Sequence, residues 1–161
     1  MNFRSTRLAV FAAVALCMSL RALVVHASDP VAAMHAAPLG LDVATLRSVV
    51  LEPRTPAPAS VVLSGVSQPR SSVLFKSEAM VVVLYEEQPL KLALKAPGMP
   101  YDEFVHVVDG SLTLTDTKGQ SREFAAGDSV LIPKGFVGTW EARGNFRELA
   151  LVSRKDWDAT H

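Results

Sequence analysis

The feature that most constrains the fold is the stretch from residue 103 to residue 140, where strand-like runs and sharp turn signals follow one another closely. Leu112 and Leu114 alternate with polar residues, which is the two-residue period of a half-buried strand. The preceding run, residues 104–108, is apolar apart from His106 and is expected to lie deeper in the sheet. This stretch therefore predicts the wall of a β-barrel.

Turn signals separate these runs. Asp109-Gly110 is a dipeptide that favours a tight hairpin, because glycine and aspartate tolerate positive φ there. Lys118-Gly119 and Gly127-Asp128 predict two further turns, and Pro133-Lys134-Gly135 predicts the end of the strand before it. The sequence thus predicts consecutive antiparallel strands.

The turn and strand residues resemble the motifs of the cupin family. Glu103, followed by six residues and Gly110, resembles the second half of the first cupin motif, and Gly127, followed by five residues and Pro133-Lys134-Gly135, resembles the start of the second. The likeness covers residues 75–153 and is greatest to small cupins grouped with the cupin domain of ureidoglycine aminohydrolase. It implies an all-β, single-domain cupin jelly-roll β-barrel.

The same resemblance implies a metal site whose ligands are missing here. Where metal-binding cupins have a His-x-His pair, this chain has Pro97, Gly98 and Met99, and Gly138 stands where the third histidine would fall. Of the usual ligands only Glu103 remains, and one carboxylate is a poor site for a transition metal. We therefore expect no cofactor, although a divalent metal bound in another way is left open.

The N-terminus resembles an export signal. Arg4 and Arg7 precede an apolar run over residues 8–20, and small residues surround a cleavage point after Ala27. Residues 1–27 are therefore predicted to be a signal peptide that is removed. A retained membrane anchor is the alternative, but Arg21 interrupts the apolar run before it is long enough to span a bilayer.

The charge and cysteine content of the chain limit the classes of binding partner that it is expected to have. The chain has sixteen basic and sixteen acidic residues, with no basic cluster in the barrel region, so nucleic acid is not an expected partner. Removal of residues 1–27 takes away three arginines and the single cysteine, which leaves thirteen basic against sixteen acidic residues, a net charge of −3, and no disulfide. We expect a periplasmic or secreted protein with no membrane partner after cleavage.

Residues 28–60 are predicted to form an Ala/Pro-rich arm, and residues 61–161 are predicted to form the β-barrel that follows it. Residues 42–50 could form a short helix capped by Asp42, and residues 52–58 are interpreted as an extended linker. His35 in this arm is expected to be solvated, because a metal ligand needs partners at close spacing.

Three residues are candidates for a ligand site in the barrel interior. Strand alternation places Tyr101 and Glu103 on one face, which the resemblance implies is the interior face. Trp140 shares its parity with Gly138, so its indole is expected on the same side. The predicted ligand-binding residues are Tyr101, Glu103 and Trp140, with Glu103 the only catalytic candidate. Glu103 and Trp140 each also have a structural alternative. A backbone amide or a basic side chain could hydrogen-bond to Glu103, and Trp140 could pack in the core.

Other polar residues are assigned structural roles. His106 is one position out of phase with Glu103 and should point away from the interior, and Lys91 and Lys95 should be solvated. Asp128 is expected to bond the backbone of its turn. Glu148 stands where the family resemblance implies a lysine, which speaks against lysine-dependent chemistry.

Three classes of function fit these residues. The first is a module that binds a small polar molecule in the barrel interior without a histidine-based metal site. The second is an enzyme related to ureidoglycine aminohydrolase-type cupins that uses Glu103 as an acid, a base or a metal ligand. The third is a structural protein that forms a homodimer through its outer sheet. An open interior with a second polar group near Glu103 would favour the first two classes over the third.

Overall fold

The structure is a computed structural model, and it describes residues 38–160. Within that range the chain forms nine strands and two short helices, which confirms the predicted all-β class. In chain order the elements are α1 (Val43–Ser48), β1 (Glu52–Pro53), β2 (Val62–Gly65), β3 (Arg70–Lys76), β4 (Met80–Glu87), β5 (Leu90–Leu94), β6 (Glu103–Asp116), β7 (Ser121–Ala125), β8 (Ser129–Ile132), β9 (Gly138–Ser153) and α2 (Arg154–Thr160).

Two long strands organise the fold. β6 and β9 pair with each other antiparallel along almost their whole length. The second half of β9 also pairs with β4, and its first half pairs with β5. The first half of β6 pairs with β8, and its second half pairs with β7. The long strands therefore run from one set of partners to another, as in a jelly roll.

The predicted hairpin at Asp109-Gly110 is wrong. Both apolar runs lie on the single strand β6, because both pair with β9. The ladder shifts register on each side of Asp109, and Gly110 has a φ of 72°. A β-carbon at Gly110 would overlap the carbonyl oxygen of Arg143. The glycine therefore lies in a β-bulge, where the backbones of β6 and β9 approach closely.

The two turns predicted further along the chain are confirmed. At Lys118-Gly119 the Asp116 carboxylate accepts a hydrogen bond from the Lys118 amide at 2.8 Å, and Gly119 has a φ of 79°. At Gly127-Asp128 the Asp128 carboxylate accepts from the Ala125 amide at 2.9 Å. Asp128 is therefore a turn-forming residue, as expected.

The interior between the strands is filled mainly by alternating residues of β6 and β9. Val105 and Val107 point inward from β6 and are fully buried. They belong to the larger core cluster, whose other buried members are Leu112, Leu114, Phe124, Ile132, Ala142 and Phe146. Burial of these side chains is the main stabilising contribution to the barrel.

The described part of the arm docks on the outside of the sheet. Asp42 caps α1 by accepting from the Thr45 amide at 3.0 Å, and Leu46 and Leu51 are buried against Leu84 and Val108. The chain then enters the sheet as β1, so the first two residues of the predicted linker are a strand that pairs with β3.

The predicted signal segment, residues 1–27, lies outside the described residues, as do residues 28–37 of the arm with His35. In the range 38–160, no helix has the length and apolar character needed to cross a membrane.

Candidate functional site

A cavity of about 290 Å³ opens into the barrel. The three residues predicted to form a ligand site, Tyr101, Glu103 and Trp140, all line it. The other lining residues are Pro69, Tyr85, Glu86, Glu87, Leu90, Leu92, Leu94, Met99, Phe146 and Glu148.

Strand geometry explains why these residues meet. Glu103 begins β6 on the inward face, where Val105 and Val107 follow at every second position, and only 6% of its surface is exposed. Trp140 lies on β9 opposite Leu92 of β5. Its ring lies edge to face with that of Phe146, with ring centroids 6.4 Å apart and an interplanar angle of 81°.

Glu148 is a second buried carboxylate in the cavity, and the sequence interpretation missed it. It lies on β9 between Tyr85 of β4 and Val107 of β6 and is 6% exposed. Its Oε2 atom is buried without a hydrogen-bond partner. The signal was present in the sequence, because Glu148 alternates with the buried Ala150 and Val152 and so shares their inward face.

Burial makes both carboxylates hard to ionise. It raises the pKa of Glu103 from 4.5 to about 7. Burial also raises the pKa of Glu148 well above its ordinary range, and the negative charge of Glu103 raises it further. Among the described residues that line the cavity there is no lysine, arginine or histidine, so no basic side chain in its wall offsets these two charges.

The other two glutamates of the cavity wall already have partners. Glu86 accepts from Arg147 at 2.6 Å. Glu87 accepts from the Gln68 amide at 2.7 Å and from the Ser67 hydroxyl at 3.1 Å. The carboxylates of Glu86 and Glu87 therefore already accept hydrogen bonds within the protein, in contrast to the buried Oε2 atom of Glu148.

Two tyrosines supply hydroxyl groups to the same wall. Burial raises the pKa of Tyr85 to about 12, with a further contribution from Glu103 and Glu148, and it also raises the pKa of Tyr101. Both hydroxyls are therefore protonated at neutral pH and can donate hydrogen bonds. Arg54 of the arm lies 5.7 Å from the centre of the Tyr85 ring, so one face of that ring already meets a cation.

The residues do not fit the histidine-based metal site that the cupin resemblance implies. Met99 packs against the core, and a β-carbon at Gly138 would overlap the carbonyl oxygen of Thr115 rather than enter the cavity. No group of three histidine, cysteine or acidic side chains is arranged to hold a metal ion anywhere in residues 38–160. The wall of the cavity offers carboxylates and phenols but no imidazole.

The remaining polar candidates lie outside the cavity. The Nδ1 atom of His106 is 3.0 Å from the Ser129 hydroxyl on the neighbouring strand, in agreement with its predicted outward position. Lys91 pairs with Glu141 at 3.0 Å, and Lys95 donates to the Ser60 carbonyl at 2.7 Å. These contacts are structural.

Comparison with known proteins agrees with the strand topology. Residues 94–148 match the family model of the EutQ-like cupin domain, and this segment includes Glu103, Trp140 and Glu148. The chain is a cupin-fold protein. None of the curated proteins matches this sequence.

Solved structures share the fold of this chain. A protein of unknown function from Pseudomonas syringae pv. tomato superposes with a TM-score of 0.60 at 25% identity, over 66% of this chain and 45% of that one. This chain thus spans less than half of that protein's length. The EutQ protein of Clostridium difficile superposes with a TM-score of 0.53 at 20% identity, over 70% of this chain and 86% of that one.

Proposed function

We propose that this cupin binds a small polar molecule in the cavity without the aid of a histidine-based metal site. The observation that carries the proposal is the unpartnered Oε2 atom of Glu148, buried in the same cavity as Glu103. A buried polar atom without a partner costs about 1–3 kcal/mol, and a ligand that hydrogen-bonds to it would recover that cost. Together with Tyr101 and Trp140, these carboxylates would form the binding site.

The size of the cavity supports a small ligand. A volume of about 290 Å³ equals that of roughly ten water molecules at ~30 Å³ each. It lies near the lower limit of pockets that hold organic ligands, which is about 300 Å³. A metabolite-sized molecule fits these dimensions, whereas a polymer would have to bind by one end.

A thermal-shift screen with a blocked cavity tests the proposal. Leu92 lines the cavity, so Leu92→Phe should fill part of it, whereas the 55% exposed Leu63 gives a matched control, Leu63→Phe, outside it. A ligand should raise the melting temperature of the wild type and of Leu63→Phe but not of Leu92→Phe. A screen of small acids, bases and neutral polar molecules without such a compound would contradict the proposal.

Catalysis is a second candidate function for the same site, in line with the resemblance to ureidoglycine aminohydrolase-type cupins. Glu103, with a pKa raised to about 7, would exchange a proton readily near neutral pH, which suits a general acid or base. The test is turnover of a bound compound, followed by mass spectrometry. Product formed by the wild type and lost in Glu103→Gln would favour the enzyme over a binding module.

A homodimer is a third candidate, favoured by one feature of the outer sheet. Leu131 is 75% exposed and pairs across the sheet with Phe104, which leaves apolar surface on the outside of the barrel. Sedimentation analysis of the wild type and of Leu131→Lys would test it. A wild-type dimer that Leu131→Lys dissociates would support this class, and a monomeric wild type would exclude it.

Export belongs to the same proposal and is supported by the basic start and apolar run of residues 1–27. The mature protein would act in the periplasm or outside the cell. The intact mass of protein from the exported fraction tests this. A mature N-terminus at Ser28 is expected, and an exported species that still carries residues 1–27 would contradict cleavage after Ala27.

A further inference from the structure

The charge of the cavity wall restricts the chemistry of its ligand, provided that the cavity binds one as proposed above. Four glutamates line the cavity, and none of its described lining residues is a lysine, an arginine or a histidine. Glu86 and Glu87 are already hydrogen-bonded, which leaves Glu103 and Glu148 to meet the ligand. Both are only 6% exposed, so water cannot screen them well.

From this arrangement we infer that the ligand is a small organic monocation: a primary ammonium group bound by Glu103 and Glu148, attached to a short apolar body. An ammonium group has three N–H donors and no acceptor, so it can satisfy carboxylate oxygens that lack donors. The unpartnered Oε2 atom of Glu148 is one such oxygen.

Other charge classes fit the wall less well. An anionic ligand would place a further negative charge beside the buried carboxyl pair, and like charges repel strongly where water is excluded. A neutral ligand could donate a hydrogen bond but would leave the buried negative charge without a counterion. A cation alone removes both penalties.

One positive charge is sufficient. Burial and the nearby charge of Glu103 raise the pKa of Glu148, so the two carboxyl groups together present at most about one negative charge near neutral pH. A monoamine balances that charge, whereas the second positive charge of a diamine would exceed it.

The rest of the wall suits an apolar body. Leu90, Leu92, Leu94 and Met99 line the same cavity. Trp140 and Phe146 add aromatic surface, and aromatic rings also attract cations. The ligand would therefore place its ammonium group at the glutamates and its hydrocarbon part against these side chains.

Three probes of equal chain length separate the charge classes: n-pentylammonium chloride, pentan-1-ol and sodium pentanoate. Calorimetric titration of the full chain near neutral pH, at constant ionic strength, would give the affinity for each. We expect n-pentylammonium to bind best, and Glu148→Gln and Glu103→Gln each to weaken it by at least about tenfold, because each replaces an accepting carboxylate oxygen with an amide NH2 group that cannot accept from the ammonium. The exposed Glu78 gives the control Glu78→Gln, which should bind as the wild type does.

Each outcome is decisive. Equal or tighter binding of the alcohol or the carboxylate, or wild-type affinity of both buried Gln variants, would overturn the cationic class. So would the absence of n-pentylammonium binding at millimolar concentration. If anionic or neutral compounds still stabilise the wild type but not Leu92→Phe, the cavity binds a ligand of another class and only this inference fails. If no compound does so, the proposed binding function fails as well.

Discussion

Glu103 on β6 and Glu148 on β9 are two buried carboxylates that line one cavity from neighbouring antiparallel strands. Glu148 lies directly opposite Val107, which is four residues after Glu103 on the same inward face. No described basic residue in the wall compensates either charge. This pair dominates the pH dependence and the binding chemistry expected of the protein.

The pair should make the protein less stable as the pH rises towards neutrality. Below pH 4.5 Glu103 is protonated in both the folded and the unfolded state, and between 4.5 and about 7 the unfolded state loses its proton first. The free energy of unfolding should therefore fall by on the order of 3 kcal/mol over this interval. Glu148, whose pKa is also raised, acts in the same direction.

Urea unfolding across that pH interval measures the effect. Glu103→Gln removes the titrating group, so its unfolding free energy should depend less on pH than that of the wild type. Glu78→Gln, at an exposed site, should keep the wild-type dependence. Identical curves for the wild type and Glu103→Gln would show that Glu103 does not titrate with a raised pKa.

Fluorescence of Trp140 should report the ionisation of Glu103. Both residues line the same cavity, so a new charge at Glu103 changes the field at the indole. The chain has two tryptophans, so the measurement uses Trp157→Phe to leave Trp140 alone. Emission should change with a midpoint near pH 7, and the change should disappear when Glu103→Gln is added. A change that persists in the double variant would assign it to another group.

Gly110→Ala should destabilise the fold more than Gly119→Ala. Both glycines have positive φ, at 72° and 79°, so alanine strains the backbone at each. Only at Gly110 would the added β-carbon overlap the Arg143 carbonyl, whereas nothing lies within 4 Å at Gly119. We expect an additional loss of about 1–3 kcal/mol for Gly110→Ala in urea unfolding. Equal losses would argue against the close approach of β6 and β9 at the bulge.

Arg147→Ala should release the docked arm. The Arg147 guanidinium pairs with Glu86 at 2.6 Å and donates to the Leu46 and Arg47 carbonyls at the end of α1, at 3.0 and 2.8 Å. Its removal leaves these acceptors unsatisfied, at a cost of about 2–3 kcal/mol.

The control for Arg147 is Arg143→Ala, because Arg143 forms an exposed ion pair with Glu141 on the same strand. Such pairs contribute at most about 1 kcal/mol. Hydrogen exchange of residues 43–48 should accelerate in Arg147→Ala and not in Arg143→Ala. Unchanged exchange in Arg147→Ala would show that the apolar contacts of Leu46 hold the helix without the arginine.

Elemental analysis of the purified protein should find far less than one equivalent of manganese, iron, nickel or zinc. The reason is the donor set of the cavity, which has carboxylates and phenols but no imidazole. Protein purified in the same way with Glu103→Gln is the comparison. Near one equivalent of metal in the wild type that is lost in the variant would show that Glu103 belongs to a metal site after all.

Local sequence signals determined much of the fold. The two-residue period around Leu112 depends on which face of the strand is exposed to solvent, and the glycine turns at 119 and 127 depend on backbone sterics. Both features are encoded within a few residues. The same period placed Glu103 on the inward face and His106 on the outward face.

The tertiary structure alone decided how the strands pair and which side chains are buried together. Asp109-Gly110 has the composition of a hairpin, yet pairing with β9 on both sides makes it a bulge, because ladder hydrogen bonds depend on a strand more than thirty residues away. Glu148 in isolation is an ordinary charged residue of a strand. Its burial beside Glu103 follows only from the packing of β4, β6 and β9, and that burial is what changes its protonation and makes it a candidate binding group.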